Sequence, residues 1–355
     1  MRLRIKRFKP AVSIVAVIVT IMASSLICSC STRLTVSDNE AAQSAASSKR
    51  TVIRIGLASD SDEPGGANSL AARKGFLEEE LGPLGYDVEY FGFAAAGPAV
   101  NEALIAGDLD LALYGNLPPI LLKSNGIDVS VLSFYTERLH YVVITHEDSD
   151  IRSVKDLEGK RVLVGRGTVV QEYWFDLVKT YGIDESKVEV INEVVNAQSV
   201  FLSGAADALI STEVVEEYLK PKAPIRVIEN TRLSHPELAS QGVLVGRGKF
   251  IAEHREAVVA YIRAFLRGYD YAFEHVDEVP ELFATAATPK EIIKSFLDRY
   301  PDDYLEKERG AITPAATARL DRVNEYLYAN GFSQRDVDMD ELIDASFYEE
   351  AVASL

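Results

Sequence analysis

Small and polar residues stand at a point where a buried strand gives way to a helix. In residues 94–122, AAAGPAVNEALIAGDLDLALYGNLPPILL, an apolar run ends in Gly115-Asn116, and Pro118 begins the helix that follows. A glycine lets a ligand approach the main chain, and a helix start offers N–H groups with partial positive charge. This pattern predicts a place where the backbone binds a small oxyanion.

The same arrangement returns in residues 198–219, QSVFLSGAADALISTEVVEEYL. Gly204 and Asp207 have the spacing of Gly107 and Asp110 in the first stretch. A chance match between two α/β units is one interpretation. The other, which we adopt, is a pair of similarly built lobes, each of which presents a strand end and a helix start to a shared cleft.

A further candidate loop is GRGT, residues 165–168, which follows a short apolar strand and begins a helix that contains Gln171. It is not a nucleotide fingerprint, because the third glycine is missing and no P-loop Lys-Ser/Thr pair follows. The loop is a candidate binding site only if it lies opposite Gly115-Asn116 in the two-lobe arrangement.

The polar side chains at these strand ends favour a zwitterionic ligand. Asn116, Thr168 and Thr212 would donate hydrogen bonds to a sulfonate or carboxylate. Glu213 would be costly beside a bare anion but natural opposite an ammonium group. An aminosulfonate would satisfy both requirements, and a neutral heterocycle is the alternative.

Other residues near these loops have two interpretations each. Arg138 and Arg166 are the nearest cations, and surface or hinge ion pairs would also explain them. Trp174 and Phe134 could stack on a ligand, but their apolar surroundings in the sequence favour core packing. His140 stands in a strand pattern and is most simply structural.

The first loop of the folded part, residues 58–69, lies between a strand predicted over 52–57 and a helix predicted over 71–81. A long loop at the carboxyl end of a strand is where open α/β sheets bind ligands. Asn68 or Ser69 is a candidate N-cap of the helix or a ligand contact. The acidic residues of the loop lack the spacing of a calcium site, so no metal is predicted.

The N-terminus has the layout of a secretory signal. The first ten residues, MRLRIKRFKP, carry five basic residues, and an uncharged apolar run follows to about Ile27. Ile27-Cys28-Ser29-Cys30 resembles a lipobox, in which Cys30 is the lipid attachment site. An uncleaved anchor of roughly 17 residues is the alternative. Both cysteines of the chain lie here, so the predicted mature domain has no disulfide and no thiol nucleophile.

Charge and residue usage argue against two classes of function. The net charge of −17 opposes nucleic-acid binding, which needs clustered Lys and Arg. The five histidines show no ligand-like spacing, and no serine stands in a Gly-x-Ser-x-Gly elbow, so we predict binding without catalysis and without a cofactor. A tethered sensor or scavenging module is the competing class of binding protein.

These motifs together resemble the aliphatic-sulfonate, taurine and nitrate group of periplasmic binding proteins. The resemblance covers roughly residues 50–350 and includes DLEGKRVLVGRGT, FLSGAADALISTE and VDMDELIDASFYEEAV. It implies two α/β lobes, each a mixed and mainly parallel sheet flanked by helices, joined by two crossing strands. It also implies a monomer that delivers a small solute to an ABC permease. The implied organisation is a signal over 1–30, a tether over 31–49, a first lobe over 50–138 plus 243–355, and a second lobe over 139–242.

The resemblance also implies which loops bind the ligand. Carried onto this sequence, they comprise Ala58, Ser59, Asp60, Gly97, Pro98, Gly115, Asn116, Gly167, Thr168, Gln171, Thr212 and Glu213. Where relatives have an aromatic residue and an acid at the second strand end, this chain has Ser211-Thr212-Glu213. The ligand therefore stays open between a taurine-like sulfonate, nitrate or bicarbonate, and a heterocycle of the thiamine-precursor kind.

Overall fold

The structure is a computed structural model that describes residues 50–286, 288–300, 305 and 310–355. The predicted signal, the tether and the lipid attachment site at Cys30 lie outside the described residues. The described residues belong to one compact unit.

Ten strands form two sheets within the described part of the chain. They are β1 (Thr51–Leu57), β2 (Tyr86–Gly92), β3 (Leu111–Gly115), β4 (Val129–Leu139), β5 (Tyr141–His146), β6 (Arg161–Leu163), β7 (Glu189–Ile191), β8 (Ala208–Thr212), β9 (Ile225–Asn230) and β10 (Ser240–Arg247). The first sheet has the order β2-β1-β3-β10-β4, and the second has the order β7-β6-β8-β5-β9. We call each sheet with its helices a lobe.

Helices flank both sheets. They are α1 (Gly66–Arg73), α2 (Phe76–Leu81), α3 (Ala96–Ala106), α4 (Leu117–Ser124), α5 (Val169–Tyr181), α6 (Ala197–Leu202), α7 (Glu213–Leu219), α8 (Thr231–Ser234), α9 (Gly248–Glu253), α10 (Arg255–Glu274), α11 (Val279–Phe283), α12 (Lys290–Arg299), α13 (Pro314–Ala329), α14 (Met339–Leu342) and α15 (Ser346–Ala353). The predicted α/β class with two mixed sheets is confirmed.

Each sheet combines parallel and antiparallel pairs. In the first sheet β1 is parallel to β2 and β3, whereas β10 is antiparallel to β3 and β4. In the second, β6 is parallel to β7 and β8, whereas β5 is antiparallel to β8 and β9. The chain passes from one sheet to the other at His140, between β4 and β5, and returns between β9 and β10.

Glycines in the left-handed conformation mark helix boundaries in the first lobe. Helix α3 ends at Gly107, whose φ is 78°, a conformation that favours glycine. The single helix predicted over 71–81 is wrong, because Gly75 adopts a φ of 81° and separates α1 from α2. Asn68 and Ser69 lie inside α1 rather than at its N-cap.

The repeated glycine–aspartate spacing has a structural counterpart. Asp110 accepts hydrogen bonds from the main-chain N–H of Arg54 at 3.0 Å and from its Nη2 at 2.8 Å. Asp207 accepts the same pair of bonds from Arg161, both at 2.8 Å. In each lobe the aspartate thus ties the start of one parallel strand to its neighbour, so the two lobes share a local structure as well as a sequence pattern.

Helix α10 is long and amphipathic, and apolar residues at helical spacing mark its buried face in the sequence. Its four apolar positions at helical spacing are buried against the first sheet together with residues of β1. These positions are Val258, Ile262, Phe265 and Tyr269.

Candidate ligand-binding site

A cavity of about 540 Å³ lies between the two lobes. The first lobe contributes Ala58 and Ser59, which follow β1, together with residues of β3 and of the crossing strand β4. The second lobe contributes Val169, Thr212 and Arg232. Much of the remaining wall is apolar or aromatic and includes Tyr135, Leu139, Phe265, Tyr269, Phe283 and Ile293.

A smaller cavity of about 210 Å³ adjoins the first and shares Ala58, Gly115 and Val169 with it. Gly97 and Thr168 are among its other lining residues. The strand ends that the sequence predicts to face each other across a cleft are therefore brought together.

The two lobes touch where glycines remove side chains. A Cβ atom at Gly115 would lie 2.0 Å from Cγ1 of Val169, and one at Gly97 would lie 3.1 Å from the carbonyl oxygen of Gly167. A Cβ at Gly167 would in turn lie 3.0 Å from Cγ of Pro98. Since a Cβ does not fit at 2.0 Å, the first of these approaches needs a glycine.

The predicted site residues divide into two groups. Those that line one or both cavities are Ala58, Ser59, Gly97, Gly115, Thr168 and Thr212. Those that line neither are Asp60, Pro98, Asn116, Gly167, Gln171 and Glu213. Asp60 is exposed to solvent, and Pro98 and Gly167 meet at the contact between the lobes.

Gln171 and Thr168 fix the loop that opens α5. Gln171 Oε1 accepts a hydrogen bond of 2.6 Å from the N–H of Gly167. Thr168 caps the helix, because its hydroxyl accepts from the N–H of Val170 at 3.2 Å and donates to the carbonyl of Gly165 at 2.6 Å. Both side chains therefore form hydrogen bonds with the backbone of residues 165–170 and stabilise the conformation of this loop.

The carboxylate of Glu213 is engaged by protein cations and amides. It accepts hydrogen bonds from Nε of Arg232 at 2.9 Å and from Nδ2 of Asn230 at 3.0 Å. The side chains of Glu213 and Arg232 are only 6% and 10% exposed. The sequence predicts that this carboxylate faces the ammonium group of a zwitterionic ligand. In the structure it faces the guanidinium of Arg232 instead.

For Arg138, Arg166, Trp174 and Phe134 the sequence allows either a ligand contact or a structural role, and the structure places them differently. Arg138 lines the larger cavity, whereas Arg166 is exposed and lines neither. Trp174 and Phe134 are each 1% exposed and belong to the hydrophobic core, outside both cavity walls. Core packing is thus the correct interpretation of these two aromatic residues.

His140 lies where the chain crosses between the lobes, and burial and nearby positive charges lower its pKa. Burial lowers its pKa to about 3, and the charges of Arg232, Arg138 and Arg319 act in the same direction. His140 is therefore neutral at physiological pH. Its Nδ1 lies 3.2 Å from the hydroxyl of Thr231, which accepts a hydrogen bond from the N–H of Tyr141.

Sequence reasoning missed Arg232 and Tyr114 as cavity residues. Arg232 could have been found, because it stands just after the end of β9, as Thr212 stands at the end of β8. Tyr114 is 1% exposed, and among the described residues its hydroxyl has no hydrogen-bond partner. Burial raises the pKa of this phenol, which remains a proton donor.

The described part of the chain lacks two further features. In residues 50–286, 288–300, 305 and 310–355, no group of three or more His, Cys, Asp or Glu is placed to hold a metal ion. Over the same ranges, no helix is long and apolar enough to cross a membrane.

The fold and the cleft define the class of protein: two mixed α/β lobes around a cavity are the architecture of the periplasmic binding proteins. The alkanesulfonate-binding protein of Xanthomonas axonopodis pv. citri, solved with MOPS bound, has this fold. Its TM-score is 0.71 at 17% identity, over 84% of this chain and 99% of that one. A family model described as NMT1/THI5 like matches residues 68–279, and the chain belongs to that family.

Relatives within this similarity carry several names. A Bacillus subtilis (strain 168) protein named for binding aliphatic sulfonates is 23% identical over 286 residues, which cover 80% of this chain and 84% of that protein. A formylaminopyrimidine-binding protein of Halalkalibacterium halodurans is 26% identical over 224 residues, 61% of this chain and 64% of that one. Other relatives carry enzyme names, among them a 4-amino-5-hydroxymethyl-2-methylpyrimidine phosphate synthase of Schizosaccharomyces pombe, 23% identical over 208 residues, 55% of this chain and 58% of that one.

Proposed function

We propose that this protein captures a small organic anion of the sulfonate class between its two lobes and delivers it to the permease of an ABC importer. The observation that carries the proposal is the cavity of about 540 Å³ between the lobes, with Arg138 and Arg232 in its wall. The names of the relatives support the same class of solute. The protein would act as a monomer, held to the outer face of a membrane by a lipid on Cys30.

Positive charge at one end of the cavity supports an anionic solute. The guanidinium of Arg232 pairs with the carboxylate of Glu213. Arg138 and Arg319 add positive charge near His140, where together with Arg232 they depress the pKa of the imidazole. The buried hydroxyl of Tyr114 is a further hydrogen-bond donor available to an oxyanion.

The size and lining of the cavity support a solute with an apolar body. Phe265, Tyr269, Phe283 and Ile293 line it, and burying an alkyl or aryl group against them is favourable. Because the carboxylate of Glu213 already pairs with Arg232, it is not available to an ammonium group on the solute. The structure thus favours an alkyl or aryl sulfonate over the zwitterion that the sequence alone suggests.

Binding of a series of 1-alkanesulfonates, from methane- to octanesulfonate, tests the proposal by thermal shift and calorimetry. Each added methylene should tighten binding about fourfold, from about 0.8 kcal/mol per buried CH₂, until the cavity is filled. The matched 1-alkanols, which lack the charge, serve as controls. Stabilisation by formylaminopyrimidine, nitrate or bicarbonate with none by any sulfonate would contradict the proposed solute. Chemical conversion of a bound solute would contradict binding without catalysis.

A further inference from the structure

Glu172 of the second lobe contacts both the first lobe and the second crossing between the lobes. The proposed function does not explain why a buried carboxyl group lies there. It lies on α5 of the second lobe and is 7% exposed. Its Oε1 lies 3.4 Å from Nδ2 of Asn116 in the first lobe. Its Oε2 lies 2.6 Å from the hydroxyl of Ser240, the first residue of β10, at the second crossing between the lobes.

Hydrogen-bond partners fix the orientation of the amides in this network. Gln241 donates through Nε2 to the carbonyl of Ala316 at 3.1 Å, so its Oε1 faces Asn116. Asn116 must then present Nδ2 to that oxygen, at 3.2 Å, and Oδ1 to Ser240, at 3.0 Å. The amide of Asn116 therefore cannot be turned over without placing two acceptors against each other.

Counting protons in this network distinguishes the two states of Glu172. Ser240 has one hydroxyl proton but faces two acceptors, Oε2 of Glu172 and Oδ1 of Asn116. If Glu172 is ionised, one of these two contacts has no proton. If Glu172 is protonated, it donates to Ser240, and Ser240 donates to Asn116, so that both contacts are hydrogen bonds. A buried polar network is stable only when its members are satisfied.

We infer that Glu172 is a protonated positioning residue of the closed form, which holds Asn116 and the start of β10 in place, so that closure of the lobes on a solute takes up a proton. The inference rests on the proposed function, since it assigns a regulation to the same binding site.

The titratable groups around Glu172 lie on three elements. Burial raises its pKa to about 7, and the negative charge of Asp176, one turn further on α5, acts in the same direction. The hydrogen bonds of Ser240 and Asn116 and the charge of Arg319 on α13 oppose this. Tyr141 of β5 faces it as a neutral phenol, because burial raises the pKa of Tyr141 well above its usual value.

The direction of the pH dependence follows from the two forms. In an open form, exposed to water, Glu172 would titrate near its ordinary value of 4.5, whereas it titrates at about 7 in the closed form. Between these values the closed form holds a proton that the open form lacks. Affinity should therefore fall by up to about tenfold for each pH unit in this window and level off on either side. His140 contacts Thr231 within the second lobe, so we expect its low pKa, about 3, in both forms and no contribution to proton uptake.

The test is calorimetric titration of the full chain with 1-hexanesulfonate at pH 5, 6, 7 and 8, in pairs of buffers with different ionisation enthalpies. A sulfonate stays ionised throughout, so any proton uptake belongs to the protein. The wild type should take up close to one proton at pH 6 and bind at least tenfold more weakly at pH 7 than at pH 5. Glu172→Gln supplies a neutral donor in the same place, and we expect it to take up no proton and to bind at pH 8 as the wild type does at pH 5.

Asp176→Asn is the matched control, because burial also raises the pKa of Asp176, to about 6, without a place in the network. It should retain proton uptake, with a midpoint at somewhat lower pH, because the charge of Asp176 contributes to the raised pKa of Glu172. No uptake by the wild type, or an unchanged pH profile in Glu172→Gln, would overturn the inference.

A second measurement separates this inference from the proposed solute. If no alkanesulfonate binds, the proposed solute class is wrong, and proton uptake by the wild type and by Glu172→Gln is compared with whichever of formylaminopyrimidine, nitrate or bicarbonate stabilises the protein. The wild type should take up close to one proton more than the variant at pH 6, because any solute that closes the lobes has the same effect on Glu172. Equal uptake by the two proteins would then overturn the role of Glu172 as well.

Discussion

Gly115 faces the side chain of Val169 across the boundary between the two lobes. A Cβ at Gly115 would lie 2.0 Å from Cγ1 of Val169, closer than real Cβ atoms approach other atoms. The φ of Gly115 is outside the left-handed region, so the backbone there does not itself require glycine. The missing side chain therefore serves the approach of the lobes and not a turn.

Gly115→Ala should consequently weaken solute binding without destabilising either lobe. We expect the affinity for an alkanesulfonate to fall at least tenfold, because the added methyl group meets Val169 only when the lobes close, while the free energy of unfolding of the solute-free protein changes by less than about 1 kcal/mol. Calorimetry and urea denaturation measure the two quantities. The double variant Gly115→Ala/Val169→Ala removes the clash and should restore affinity. Normal binding by the single variant would show that closure does not need this approach.

Arg138 and Arg166 allow a matched comparison of two cations in the same part of the sequence. Arg138 lines the larger cavity, whereas Arg166 is exposed and lines neither cavity. Loss of a charged hydrogen-bond donor from the site should reduce affinity about 10- to 100-fold in Arg138→Gln. Arg166→Gln should leave affinity within about twofold, because exposed charges are screened. Equal effects of both substitutions on sulfonate titrations would argue against direct contact by Arg138.

Much of the backbone of the candidate site can be predicted from the sequence, and much of its side-chain lining cannot. Gly115, Thr168 and Thr212 stand at strand ends or helix starts, which periodicity and glycine positions indicate, and all three line a cavity. Arg232 stands just after the end of β9, so the same strand-end argument could have found it, but its pairing with Glu213 depends on side-chain packing that the sequence does not show. Asn116 was predicted to bind the ligand, but it lines neither cavity, and its amide is bound by Gln241, whose position in the fold is set by β10.

Substitution of Glu213 distinguishes a protein ion pair from a ligand-binding carboxylate. Glu213→Gln removes the carboxylate that pairs with the buried guanidinium of Arg232, which should cost about 3–5 kcal/mol of stability. The loss of this negative charge should then increase the rise in melting temperature that an alkanesulfonate produces. Taurine and ethanesulfonate differ only by an ammonium group and form the control pair. If Glu213→Gln weakened taurine selectively, the carboxylate would face the ligand after all.

Asp110 and Asp207 make corresponding contacts in the two lobes but differ in burial, so their removal should have unequal effects. The side chain of Asp110 is 4% exposed and pairs with both Arg54 and Arg247, whereas that of Asp207 is 31% exposed and pairs with Arg161. Breaking the buried network with Asp110→Asn should cost about 3–5 kcal/mol, and Asp207→Asn about 1 kcal/mol. Urea denaturation at pH 7 measures both costs.

The pKa of Asp110 predicts how the cost of Asp110→Asn changes at low pH. Burial alone would raise it, but the hydrogen bonds from Arg54 and Arg247 outweigh burial, so that the pKa lies below its usual value. The carboxylate therefore stabilises the native state above the unfolded pKa, about 3.9, and this contribution disappears as pH falls through the lower folded pKa. The difference in unfolding free energy between the wild type and Asp110→Asn should accordingly be constant from pH 5 to 8 and shrink below about pH 4. A difference that persisted undiminished at pH 2 would mean that hydrogen bonding, which the asparagine also loses, and not charge, accounts for the stabilisation.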